Sequence, residues 1–178
     1  SIYVPADISC VGGNGQSAPA LAARTGIQLG SNLEDVIASS EIVVVAFKPQ
    51  HLATADPRLA GLTDGRLVIS VLAAKTLARL ERTFPKARNL IRCMPNTPAA
   101  IGAGVTGWCS RSPLIPADRK IVTDLLAAIG REVEIPEAQI DALMAVSGCG
   151  PAFVFEFTAA LRDAGISAGL ESSQSAML

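Results

Sequence analysis

The run Ile42-Val43-Val44-Val45-Ala46-Phe47 is apolar at six consecutive positions, the first four of them β-branched. A strand with one wet face alternates between apolar and polar residues. An unbroken apolar run suits a strand of a parallel sheet, covered by helices on both faces. Around it the pattern predicts further strands at Ile2 to Val4, Leu67 to Val71, Asn89 to Met94 and Glu132 to Ile135. Between these the periodicity turns helical. Ala20 to Arg24 is Ala-rich and stops at Gly26, while Asn32 is an N-cap type with acids following at Glu34 and Asp35. Thr76 caps a segment that puts Leu77, Leu80 and Phe84 on one face, and Ala117 to Ile129 is amphipathic. Strands and helices alternating at this pace make a doubly wound α/β sheet. Its core must be aliphatic, because 49% of the residues are hydrophobic and only 4% aromatic.

Beyond Pro136 no strand pattern recurs. Ile140 to Val146 and Ala152 to Ala164 read as helices, interrupted by Ser147-Gly148-Cys149-Gly150-Pro151. Pro151 is placed to begin the second helix, where a first-turn proline forfeits no hydrogen bond. The chain therefore divides into an α/β domain over residues 1–135 and a helical unit over residues 136–178. A last helix begins after Gly169 and leaves an apolar face unmatched, so a longer chain or dimerisation is expected to cover it. Ser1, standing where a Met would start a protein, points to the longer chain.

Fifteen Lys and Arg are scattered among sixteen Asp and Glu, for a net charge of -1. No broad attraction to nucleic acid or to an anionic membrane follows. Cys10, Cys93, Cys109 and Cys149 lie far apart with no C-x-x-C pair, and His51 is the single histidine, so the spacing of metal ligands is missing. The thiols are expected to be buried and reduced, and His51, following the turn Lys48-Pro49-Gln50, to be a surface residue. No stretch reads as apolar for long enough to span a bilayer and no signal-peptide order opens the chain, so the expected location is the cytoplasm.

Gly13-Asn14-Gly15-Gln16-Ser17-Ala18 fits G-x-G-x-x-A, the loop that lets a backbone approach a pyrophosphate at a helix N-terminus. Spacing argues against that role. A fingerprint needs a helix, a second strand and a second helix before the third strand, and only thirty-one residues separate Gly15 from Ala46. The segment is read as a loop after an early strand, with the true first strand and glycine loop lying before Ser1.

Four segments carry a more specific signal: Val45-Ala46-Phe47-Lys48-Pro49-Gln50, Val68-Ile69-Ser70, Arg92-Cys93-Met94-Pro95-Asn96-Thr97-Pro98 and Ser147-Gly148-Cys149-Gly150-Pro151-Ala152-Phe153. In this order they resemble the pyrroline-5-carboxylate reductases, and Gly104-Val105-Thr106 and Asp163-Ala164-Gly165 agree. The resemblance implies a Rossmann-type doubly wound parallel sheet lacking its first strand, followed by the start of an all-α dimerisation domain. It implies NADPH or NADH as cofactor, 1-pyrroline-5-carboxylate as the small-molecule substrate, hydride transfer to the C=N carbon and a homo-oligomer, with no metal, nucleic acid or membrane. Carried onto this chain, the cofactor would meet Asn32, Ala46, Phe47, Lys48, Pro49, Val71, Leu72 and Ala73, and the substrate Asn96, Ser147, Gly148 and Glu156. No side chain is assigned as general acid or base, since the cofactor brings the hydride and the protein brings orientation.

Some positions depart from the family pattern. Ala74 stands where glycine is usual, Lys75 where a small apolar residue is, Cys149 where serine is, and Ala159 where an acid is, with Glu156 three residues before it. Read from the residues alone, Lys48 is an exposed strand-end lysine, Asn32 a helix cap and Ser147 to Pro151 a break between helices. Two other functions stay open: a non-catalytic remnant that keeps the sheet for a partner, and a related NADP-dependent oxidoreductase with another substrate. Asp7, with no arginine near it in Pro5-Ala6-Asp7, leans toward NADH.

Overall fold

A computed structural model describes residues 3–12 and 15–178. After a short 3₁₀ turn at Pro5–Asp7 come β1 (Ser9–Cys10), α1 (Ser17–Thr25), β2 (Gln28–Leu29), α2 (Leu33–Ala38), β3 (Ile42–Val45), α3 (Leu59–Leu62), β4 (Leu67–Ser70), α4 (Leu77–Thr83) and β5 (Asn89–Met94). Then follow β6 (Gly104–Ser110), α5 (Pro116–Ala127), β7 (Gly130–Glu134), α6 (Ile140–Leu143), α7 (Gly150–Ser167) and α8 (Ser172–Met177).

The main sheet runs β3-β4-β5-β6-β7, with β3, β4 and β5 parallel, as the apolar runs predict. All four residues of β4 are buried, because each face carries its own core. Val68, Leu80, Phe84 and Leu90 share one cluster, while Leu67, Ile69, Ile91, Cys93, Trp108 and Val122 share the other. The caps behave as their residue types predict. Asn32 accepts a hydrogen bond from the Asp35 amide, Thr76 accepts one from Arg79, and α1 ends at Gly26 with φ of 75°.

Several expectations are corrected. Ile2 lies outside the described residues, and Tyr3 and Val4 are not in a strand; the early strand is Ser9–Cys10. The sheet is not wholly parallel: β6, which sequence periodicity did not reveal, runs antiparallel to β5. Its apolar residues are interrupted by Gly104, Thr106 and Gly107, which hides the pattern. A 3₁₀ turn at Thr97–Ile101, closed by Gly102 at φ of 72°, reverses the chain between the two strands. The helices α6 and α7 are not separated by a loop either, since a π-turn at Met144–Gly148 joins them.

That continuous helical run, Glu137–Ser167, also overturns the expectation that no segment could span a bilayer. It has 31 residues, and its most apolar window has a mean hydropathy of 1.4 with none of it buried. Phe153, Val154, Phe155, Phe157 and Leu161, on α7, are between 58% and 71% exposed. The thiols divide as well. Cys93 and Cys109 are buried, with burial as the main cause pushing them up to about 12 and about 11, whereas Cys10 is half-buried and Cys149 exposed.

The strands β1 and β2 form a parallel pair of their own and, among the described residues, are not hydrogen-bonded to β3. On β3, Val44 is 55% exposed although the run it belongs to is apolar throughout. A doubly wound sheet in the order 3-2-1-4-5-6, drawn without its first strand, divides in just this place. Gly13 and Asn14, at the heart of the G-x-G-x-x-A segment, lie outside the described residues. The strand before a dinucleotide fingerprint is bonded on both sides at the centre of its sheet, and among the described residues β1 is bonded to β2 alone.

Candidate functional site

Because β3, β4 and β5 are parallel and in register at Val45, Ser70 and Arg92, their carboxyl ends open on one edge. Strands in a sheet lie about 4.8 Å apart. Residues 46–49, 71–74 and 95–97 therefore leave the sheet side by side, at the edge where open α/β sheets bind ligands. Each exit is fixed differently. Lys48, exposed, precedes a 3₁₀ turn begun by Pro49, and Phe47 packs on the core. Leu72 is 2% exposed and its amide donates to Ser70 Oγ at 3.2 Å, so this loop is anchored inward. Ala74 has φ of 56°, the left-handed region that favours glycine. An Ala74→Gly chain should consequently gain about 1 kcal/mol of stability by relief of that strain, measured as a shift in the urea midpoint.

The third exit reaches the helical unit. Asn96 Nδ2 donates to the Ser147 carbonyl at 3.0 Å, and its Oδ1 accepts from the Val105 amide at 2.8 Å. Leu143, just before the π-turn, fills the space over Gly107, where an added Cβ would collide with it. On β5, Arg92 is 5% exposed and makes ion pairs with Glu137 at 3.1 Å and Asp141 at 3.4 Å. Glu137 Oε1 also accepts from the Leu77 amide at 2.7 Å, capping α4. The start of the helical unit is thus fastened to the sheet by polar contacts on both sides of an apolar one.

Of the residues expected to meet substrate, Asn96 and Ser147 are in direct contact and Gly148 is next to them. Glu156 is exposed on α7, eight residues past Gly148, or about 12 Å along the helix axis at 1.5 Å per residue. Asn32 is exposed and engaged with Asp35 through both its oxygen and its nitrogen, at 2.8 and 2.6 Å, which is the work of a helix cap. The start of α7 has fewer free amides than a plain helix start. Cys149 donates to the Met144 carbonyl, Ala152 donates to that of Cys149, and Pro151 has no N–H. Sequence reasoning missed Arg92, Glu137 and Asp141 as a group. The signal was present in Arg92, a charge within the buried strand Asn89–Met94. Among the described residues no cluster of His, Cys, Asp and Glu could hold a metal.

Comparison with known proteins gives these elements a context. Residues 137–178 match the family described as pyrroline-5-carboxylate reductase dimerisation, and residues 5–74 match that described as NADP oxidoreductase coenzyme F420-dependent. A pyrroline-5-carboxylate reductase from Synechocystis is 42% identical over 131 residues, covering 74% of this chain and 49% of the relative. One from Mycobacterium tuberculosis is 35% identical over 155 residues, covering 83% and 52%. The chain spans about half the length of the curated relatives it matches. Among solved structures, a pyrroline-5-carboxylate reductase from Coxiella burnetii superposes with a TM-score of 0.88 at 25% identity, covering 98% of this chain and 66% of its own. The Plasmodium falciparum pyrroline carboxylate reductase, solved with NADP bound, gives 0.80 at 27% identity, covering 94% and 63%.

Proposed function

We propose that the chain is part of a pyrroline-5-carboxylate reductase, and that the protein it represents reduces 1-pyrroline-5-carboxylate to L-proline with NADPH or NADH. The observation that carries this reading is the Asn96–Ser147 contact, which brings the turn after β5 and the turn before α7 together beside the carboxyl ends of β3 and β4. A dinucleotide would supply the hydride. Residues of this chain fit such a group: the exits after β3 and β4 carry the small or apolar Ala46, Phe47, Val71, Leu72 and Ala73 with no carboxylate, and Lys48 is an exposed cation beside them. The first two exits would border the nicotinamide half, with Pro49 fixing the turn. Asn32 would meet the adenosine half from the end of its helix.

The substrate ring would then rest between Asn96 and residues 147–148, with orientation as the protein's main contribution. The bound NADP of the Plasmodium relative favours NADPH over the NADH that Asp7 suggested. Asp7 instead accepts from the Val4 amide at 3.4 Å, a local turn contact. We divide the protein at Pro136, a reading supported by the match of residues 137–178 to a dimerisation family. The exposed apolar face of α7, and Glu156 with it, would be completed in a cytoplasmic homo-oligomer instead of a membrane. Growth of a proline-requiring strain without its own reductase tests the proposal. The longest protein that the coding sequence yields should restore growth without added proline. A folded, soluble product that leaves the strain dependent on proline would contradict it.

A further inference from the structure

In an α-helix the carbonyl of residue i accepts from the amide of residue i+4. For Ser147 that residue is Pro151, which has no N–H. The next amide along, that of Ala152, is spent on the Cys149 carbonyl at 3.1 Å. The Ser147 carbonyl nevertheless has a donor, Asn96 Nδ2 at 3.0 Å, from a loop fifty-one residues away in sequence. The other end of the same amide accepts from Val105 at the start of β6.

We propose that Asn96 is a positioning residue that stands in for the amide Pro151 lacks, and so locks the π-turn 144–148 and the start of α7 to the edge of the sheet. Asn96 then acts through Ser147, with one N–H and the oxygen of its amide spent on the joint. Neighbouring contacts agree with a joint at this point. Leu143 seats over Gly107 one turn before Ser147, and Ser147 Oγ donates to the Leu143 carbonyl at 3.0 Å. This joint is independent of which reaction the site performs.

Hydrogen exchange on this chain tests it. Asn96→Asp keeps the acceptor for Val105 and removes the donor to Ser147. Amides of residues 144–149 should exchange about tenfold faster, the equivalent of one hydrogen bond, while those of β4 and β5 keep their rates. Pro151→Ala restores an N–H four residues after Ser147, so in that background Asn96→Asp should change exchange by less than about threefold. Unchanged exchange in Asn96→Asp, or an equal effect with and without Pro151, would overturn the proposal. Should Asn96→Asp unfold the sheet as well, the wild-type chain decides by NMR: a side-chain Nδ2 proton of Asn96 protected from solvent supports the joint, and one exchanging like a free amide refutes it.

Discussion

A Trp108→Ala chain should be less stable than the wild type by about 4 kcal/mol, the cost of deleting a large buried aromatic. Trp108 is 1% exposed and packs with Leu67, Ile91, Cys93 and Val122 between the sheet and α5. Its indole N–H also donates to Glu132 on β7, and the Arg119 guanidinium lies 5.6 Å from the ring centre. Removal would open a cavity and loosen β6 from β7. Since domains of this size are stable by roughly 5–15 kcal/mol, such a loss takes a large share of the total. Trp108→Phe keeps most of the apolar contact and should cost about 1.5 kcal/mol, mainly the indole hydrogen bond and part of the ring. Urea unfolding followed by circular dichroism gives both values, as the only tryptophan cannot serve as the probe. A cost under 1 kcal/mol for the alanine variant would mean that β6 does not pack as described.

Replacing Arg92 by alanine should cost about 3 kcal/mol, the low end for breaking a buried ion pair from one side. The guanidinium is nearly enclosed, but its partners are not equal: the Glu137 side chain is 33% exposed and that of Asp141 81%. Most of the effect is therefore assigned to Glu137. Glu137→Gln should cost less, about 1 kcal/mol, because its amide oxygen still accepts from Leu77 while the charge on Arg92 loses its best partner. Combining Arg92→Ala with Glu137→Gln should then cost less than the sum of the two, since each removes the same contact. Strict additivity in the double-mutant cycle would show that the pair contributes nothing. Cleavage by a protease between residues 136 and 150 should also quicken in Arg92→Ala, as the start of the helical unit is released.

The parallel part of the sheet was readable because β-branched runs without alternation have one good solution, burial on both faces. Caps at Asn32 and Thr76 were readable for a similar local reason, as each side chain bonds an amide three residues ahead. The strand Gly104–Ser110 was not, because its two glycines make room for neighbours and not for a visible pattern; Gly107 faces Leu143 across the joint. The π-turn was hidden for the opposite reason. Gly148, Gly150 and Pro151 look like a break, yet the bonds from Cys149 to Met144 and from Asn96 to Ser147 carry the helix through it. In the candidate site, the motif residues Asn96 and Ser147 were singled out by their resemblance to a family, and the structure brings them into contact. The group of Arg92, Glu137 and Asp141 is assembled across forty-nine residues, a distance at which pairing cannot be read from one sequence.

Oxidation of NADPH by 1-pyrroline-5-carboxylate, followed at the nicotinamide absorbance, tests the central claim most directly when run on the longest protein that the coding sequence yields. The expected result is turnover that depends on both reactants and forms proline in equal amount with the cofactor consumed. A folded protein that binds neither reactant, or that oxidises NADPH with other imines while leaving 1-pyrroline-5-carboxylate untouched, would contradict it.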